Sequence, residues 1–424
     1  MTIAVAKFGG TSVAQHLETI ERIVRSTDIE RKYIVVSAPG KRYPDDTKVT
    51  NMLLASSVDI DAVMERFVEI CDDNTLLSER AAELERRCEL DASDKRTAAI
   101  AAFGEETTAM VLAKKWDIKY HPPPFILSTE RGFKDAQFQQ TTKLKAPKEK
   151  VIIPGFFGYT KNRDIATFSR GGSDLTGAHI ARIWNADVYE NFTDSPILSA
   201  SPKIVDNPSV IDEITYRELR ELSYSGWEIM HPEVILAIQD SVIPIHVRGT
   251  TQYPETGTRV VTHRHSNSPV AGIAYRDNFA KFTVSFPGLN ETRGVMYRLH
   301  RIFYEEGISV EHDITKIDDV SIVVDAKQFE AENSDEQSET KSPDTVVRKI
   351  HQEFPCSVDY EENLGLLVVA GVGLRGNQAV ASTISSIVSG AQFSTCTSSG
   401  TSIIYGIDAS SGHDMVRKLY RHFF

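Results

Sequence analysis

Two short stretches place a cation, paired glycines and hydroxyls in the same order. Lys7-Phe8-Gly9-Gly10-Thr11-Ser12 closes an apolar, β-branched run (Ile3–Phe8) and opens an amphipathic one, and Ser169-Arg170-Gly171-Gly172-Ser173-Asp174-Leu175-Thr176 repeats the design. Paired glycines let backbone N–H groups approach an anion closely, and a helix that starts there adds the positive end of its dipole. Lys7 offers a point charge for terminal phosphates. Two such turns, each with its own fixed cation, suit a substrate pair that carries several negative charges. Either turn alone has a plainer explanation, in chain geometry or in Ser/Thr/Asp helix capping, but capping gives no reason for Arg170 beside it. The sequence has no G-x-x-x-x-G-K-[ST] loop, G-x-S-x-G elbow or HExxH helix, so P-loop and hydrolase chemistries fall away.

Weaker elements share one position, just after an expected strand: Ser37-Ala38-Pro39-Gly40-Lys41-Arg42, Gly155-Phe156-Phe157-Gly158 and Thr193-Asp194. Gly371-Val372-Gly373-Leu374-Arg375-Gly376 imitates a dinucleotide fingerprint. No acid stands between Glu362 and Asp408 to hold a ribose, and only some 50 residues follow. We read it as a turn.

Strand candidates Ile3–Phe8, Tyr33–Ser37, Val151–Ile153, Asp187–Phe192 and Val242–Val247 alternate with helical patterns at Asn51–Glu69, Asp94–Trp116 and Asp174–Trp184. This order predicts a parallel-rich α/β sheet sandwiched by helices, with ligands beyond the carboxyl ends of its strands. A polar stretch, Thr262–Pro269, reads as a linker. Two copies of a small α+β module follow at a period of about 80–85 residues. The first has strands at Ala280–Phe286, Ile308–Asp313 and Val320–Asp325 and helices at Gly294–Glu306 and Asp344–Phe354. The second has strands at Leu364–Ala370, Gln392–Thr397 and Thr401–Ile407 and helices at Gln378–Val388 and His413–Phe424. The expected domains are 1–265, 266–355 and 356–424. Glu330–Asp344, with six acids and nothing aliphatic larger than alanine, is expected to be a disordered loop.

A hydrophobic share of 41% and a charged share of 25% fit a soluble globular chain, and the net charge of −12 argues against a nucleic-acid partner. No apolar run approaches the length that spans a bilayer. The N-terminus places its lysine after the apolar stretch, the reverse of a secretory signal. Cys71, Cys88, Cys356 and Cys396 lack metal-ligand or disulfide spacing. The expectation is a cytoplasmic protein with no membrane partner.

KFGGTSV at the N-terminus, Gly104-Glu105, Gly155-Phe156, Arg170–Asp174 and Thr193-Asp194 occur in the order found in aspartate kinases, and the chain resembles that family over essentially its whole length. The resemblance implies an amino-acid-kinase domain followed by tandem, ferredoxin-like ACT modules. It implies phosphorylation of L-aspartate by ATP with Mg2+, giving 4-phospho-L-aspartate, the entry to lysine, threonine and methionine synthesis. By the same resemblance Lys7, Arg170 and Asp174 are catalytic. Lys7, Gly9, Gly10, Thr11, Ser12, Thr193, Asp194 and Lys203 face ATP. Ser37, Thr50, Glu105, Phe156, Arg170 and Ser173 hold aspartate, with Glu105 suited to its ammonium and Arg170 to its carboxylate. No protein metal ligand is assigned. The modules imply a homodimer or higher assembly and feedback control by lysine, with threonine as the other option. Asn290, Ser309, Val310, Glu311 and Asp318 match the effector region.

The chain departs from the family pattern on the adenosine side. SPILSASPK after Asp194 is about one residue short and lacks a common tyrosine, Lys203 replaces an arginine, and Glu228 stands where relatives carry a lysine. Two other readings are a glutamate or acetylglutamate kinase, disfavoured by the paired modules, and a non-catalytic amino-acid sensor, disfavoured by the joint presence of Lys7, Arg170 and Asp174.

Overall fold

The computed structural model describes residues 2–139, 145–169, 171–224, 230, 232–241, 243–264, 268–329, 342–374, 376–396 and 400–424. Arg170 and Glu228 lie outside the described residues, as does 330–341, most of the expected acidic loop. Two compact units result: Met1–Ser199 with Ser209–Tyr224 and Glu228–Asn267, and Ala200–Pro208 with Ser225–Trp227 and Ser268–Phe424.

The first unit is built on an eight-stranded sheet. Its strands are β1 (Ile3–Phe8), β2 (Glu30–Val36), β3 (Lys119–Tyr120), β4 (Val151–Pro154), β5 (Val188–Thr193), β6 (Glu213–Thr215), β7 (Ile245–Gly249) and β8 (Thr258–Val261), in the order β6-β8-β7-β5-β1-β2-β4-β3. All pairings are parallel except β7 with β8. Helices cover both faces, so the central strand β1 is apolar almost throughout, and its Ala4, Val5, Ala6 and Phe8 are all fully buried. On one face Phe8, Val36 and Phe192 pack beneath helix α2 (Phe103–Trp116). Charge is buried there too. Arg31 and Arg248 both pair with Glu190, at 2.7 and 2.8 Å, between the rings of Phe192 and Tyr253. The opposite face carries α3 (Gly172–Ile183).

The helical pattern read over Asp94–Trp116 divides at Ala102 into Asp94–Ala101 and α2. A side chain on Gly104, at this joint, would meet the Ala38 side chain at 2.7 Å. Asn51–Glu69 likewise splits into Val49–Leu53 and Ile60–Val68, the second capped by Asp59.

The second unit holds one six-stranded antiparallel sheet: β9 (Gly272–Ser285), β10 (Val310–Thr315), β11 (Asp319–Asp325), β12 (Ser357–Ala370), β13 (Phe393–Cys396) and β14 (Ser402–Asp408), in the order β10-β11-β9-β12-β14-β13. Helices α4 (Val295–Glu305), α5 (Pro343–Glu353), α6 (Gln378–Ile387) and α7 (Gly412–Phe423) accompany it. The long strands β9 and β12 each serve two cores. Phe282 and Val284 pack with Leu299, Ile322 and Ile350, whereas Ile273, Leu367 and Val369 pack with Ile384, Tyr405 and Leu419. The expected boundary between residues 355 and 356 falls just before β12. Ala200, Ile204 and Val205 join the second core, and Arg417 donates to the Ile204 carbonyl at 3.0 Å. Ser342, Pro343 and Asp344, read as the end of the acidic loop, instead start α5, with Ser342 accepting from the Thr345 N–H.

Candidate active site

Parallel pairing brings four turns to one edge. Phe8 stands opposite Val36 and Phe192, and Val36 opposite Pro154, so β1, β2, β4 and β5 end level. The ladder continues one step further: Gly9 donates to the Phe192 carbonyl at 3.1 Å, Ser37 to Phe8 at 3.2 Å and Gly155 to Val36 at 2.9 Å. Gly9-Gly10, Ser37–Gly40, Gly155-Phe156 and Thr193-Asp194 therefore converge, as their shared position after strands predicted.

Lys7 points from β1 to the α3 face. Its buried ammonium lies 2.5 Å from Asp174 Oδ1. A side chain on Gly9 would come within 3.8 Å of that ammonium. Asp174 sits in the first turn of α3, a helix whose start at Gly171 is left-handed (φ 59°) and carries no side-chain cap. A Ser/Thr/Asp cap therefore does not account for the Gly171–Asp174 turn, and among the described residues no side chain takes up its first N–H groups. The first turn has a shorter sequel, because α1 (Gly10–Gln15) runs only six residues.

The turns interlock through glycine. A Cβ on Gly10 would lie 2.6 Å from the Ala38 carbonyl, and one on Gly40 would lie 2.6 Å from the Gly10 carbonyl carbon and the Thr11 nitrogen. A Cβ on Gly155 would strike Ser173, and one on Gly172 would strike the Phe156 ring. Phe156 itself is held at φ 73°, a conformation that costs a non-glycine residue about 1–3 kcal/mol and that concentrates at functional sites. Its N–H donates to Thr176 Oγ1 at 3.1 Å, and Thr176 is anchored to Gly172.

Glu105 lies in the first turn of α2, and it is buried with Oε2 lacking a hydrogen-bond partner among the described residues. Burial pushes its carboxyl up from 4.5 to about 8, against hydrogen bonds from the backbone N–H groups of Ala38 and of Glu105 itself. The neighbouring Glu106 meets Arg80 at 2.7 Å and Arg87 at 2.6 Å, whereas no described cation reaches Glu105.

Comparison with known proteins accords with this geometry. Residues 2–249 match the amino acid kinase family. Aspartokinase 3 of Bacillus subtilis is 33% identical, with 99% of this chain and 98% of the relative covered. The chain belongs to the amino acid kinase family, among its aspartokinases. A crystal structure of Clostridium acetobutylicum aspartate kinase superposes with a TM-score of 0.81 at 28% identity, covering 100% of both chains. One of Escherichia coli aspartokinase III in complex with aspartate and ADP shares the fold, with a TM-score of 0.75 at 23% identity and 100% of both chains covered.

The remaining positions expected in this aspartokinase divide. Thr50 is half-buried in Val49–Leu53, and Ser173 is buried at the start of α3. Thr11 is half-buried on α1, and Asp194 is exposed after β5. Thr193 turns its carbonyl to the Thr250 N–H at 2.9 Å. Ser12 is buried on α1 with its hydroxyl 2.7 Å from Thr250 Oγ1, so the inward face of the helix satisfies its polar group within the protein. Lys203 is exposed on the 200–208 segment of the second unit, between anchors Ala200 and Ile204. Arg170 falls outside the described residues. Sequence reasoning missed Asn191, whose Nδ2 donates to Asp174 Oδ1 at 3.1 Å, and Thr250. The signal for Asn191 was a carboxamide in a central parallel strand, where apolar residues are the rule.

The five effector positions form two groups. Asn290 donates its N–H to the Ile317 carbonyl, and Asp318 accepts from the Gly288 N–H at 2.9 Å, so these two stand at the turn end of the β10–β11 hairpin. Ser309, clamped by Gln328, together with Val310 and Glu311, stands at its open end, where Val310 pairs with Val324. At a rise of about 3.3 Å per residue the two ends lie roughly 16 Å apart.

Proposed function

We propose that this enzyme transfers the γ-phosphoryl group of ATP to the β-carboxylate of L-aspartate, giving 4-phospho-L-aspartate and ADP. One observation carries the reading: the Ser37–Gly40 turn touches both halves of the site. Ala38 packs its carbonyl against Gly10 of the phosphate turn and its side chain against Gly104, the residue next to the buried carboxyl of Glu105. An acceptor that brings an ammonium to Glu105 is thereby held beside the Lys7 turn.

A β-carboxylate, with an ordinary pKa near 3.9, is ionised at pH 7 and needs no base. One of its oxygens attacks the γ-phosphorus as the bond to the β-phosphate oxygen breaks, and ADP leaves with that electron pair. The barrier is repulsion between anions, and fixed donors lower it. Lys7, oriented by Asp174, takes the phosphate charge. Gly9 and Gly10 keep the turn clear of side chains, and Arg170 and Ser173 take the substrate's carboxylates. Mg2+, when bound with the nucleotide, would supply further neutralisation of phosphate charge. Phe156, Ser37 and Thr50 line the acceptor side, and Thr193 and Asp194 the nucleotide side. The kinase works in the cytoplasm as a homodimer joined through its ACT modules, under feedback by lysine. Among the described residues no helix is long and apolar enough to cross a membrane.

The test is ATP turnover with aspartate, with glutamate, with acetylglutamate and with no acceptor. Aspartate should support turnover far above the other three. Turnover that is equal with glutamate, or independent of acceptor, contradicts the assignment.

A further inference from the structure

We propose that Asn191 is a positioning residue for phosphoryl transfer, one that fixes the Asp174 carboxylate and through it the Lys7 ammonium. This rests on the reading that Lys7 handles the phosphates. Asn191 stands directly opposite Lys7 in the parallel register of β1 and β5, and both side chains rise from the sheet toward α3. Two donors meet on a single carboxylate oxygen: Lys7 Nζ at 2.5 Å and Asn191 Nδ2 at 3.1 Å from Asp174 Oδ1. Two residues earlier on the same strand face, the Tyr189 hydroxyl donates to the Asp174 main-chain carbonyl at 3.1 Å. Thus β5 holds both the backbone and the side chain of Asp174. A lysine–carboxylate pair alone has several soft torsions on each side, and the second donor removes the carboxylate's freedom to swing.

Stability does not explain this carboxamide. Asn191 is 1% exposed and its Oδ1 has no hydrogen-bond partner among the described residues. A buried carbonyl left unpaired destabilises the fold, and an apolar side chain of the same size would remove that cost. Glu190, the neighbour on the other sheet face, is by contrast paired with two arginines. A site under strain for the sake of chemistry carries this signature of a polar group that helps its neighbour more than itself.

Asn191→Leu, nearly isosteric, and Asn191→Ala should each lower kcat by about 10- to 100-fold, the cost of slight misplacement of reacting groups. KM for aspartate should stay within about threefold, since no acceptor contact is removed. The melting temperature of Asn191→Leu should match or exceed the parent's. In an Asp174→Ala background, Asn191→Leu should cost less than about twofold more, because the group it positions is gone. Unchanged kcat in both single variants overturns the proposal. So does an equal loss in the two backgrounds accompanied by a lower melting temperature, which marks a structural residue. Lys7→Ala separates the levels: if it loses turnover and the Asn191 variants do not, only this inference fails, whereas a fully active Lys7→Ala removes the underlying reading.

Discussion

Glu105 and Glu106 are adjacent on one helix, and their surroundings give them different tasks. Glu106 is neutralised by Arg80 and Arg87, which makes it part of the scaffold. Glu105 is buried without a described counter-ion, and its carboxyl is pushed up to about 8. A carboxyl raised in the folded state keeps a proton that the unfolded chain gives up, so stability is full below the ordinary value of 4.5 and falls as pH rises toward about 8. Glu105→Gln removes that dependence. Its melting temperature should exceed the parent's by several degrees at pH 8.5 and match it near pH 5. A difference that is the same at both pH values would show that the raised titration is absent. The family resemblance singled out Glu105, but the chemistry of Gly104-Glu105-Glu106 alone does not separate the two acids, because which arginines fold against which carboxylate is a tertiary matter.

Between elements, the site depends on turns that fit only because glycine leaves room. The Gly10–Gly40 contact brings two chain turns to backbone distance, and a methyl group on Gly40 has backbone, not a yielding side chain, 2.6 Å away. Gly40→Ala should therefore separate the Lys7 turn from the Ala38–Glu105 side, lowering kcat at least about tenfold. Parent-like kinetics in that variant would mean the turns need no such contact. These turns were legible in the sequence, since glycine pairs after β-branched runs mark strand ends. Ile3–Phe8 was read to the residue, whereas Tyr33–Ser37 and Val242–Val247 are displaced from the strands Glu30–Val36 and Ile245–Gly249. The division at Ala102 was not legible, because the apolar period runs through it and the constraint comes from Ala38, some sixty residues away in the chain.

At the scale of the whole chain, the order of elements was readable and their sharing was not. Expected strands Ala280–Phe286 and Leu364–Ala370 are the second halves of fourteen-residue strands, Gly272–Ser285 and Ser357–Ala370. Asn278 and Asn363, at φ 66° and 60°, break each strand's alternation midway and send its halves into different cores. The effector positions split in a similar way. A span of roughly 16 Å is too long for one bound amino acid, so a site using both groups takes them from two copies of the chain. Under that reading Glu311→Ala and Asp318→Ala each weaken lysine inhibition, and mixing the two variants restores part of it, because one of the two sites in a mixed dimer is intact. No recovery on mixing would place both groups in separate roles.

Proton release when aspartate binds reports directly on the role of Glu105. Calorimetry at pH 7 in buffers of different ionisation enthalpy should show close to one proton leaving per aspartate bound, as the incoming ammonium ionises Glu105, with none leaving above about pH 9 or in Glu105→Gln. Binding of aspartate with no proton released at pH 7 would contradict that role.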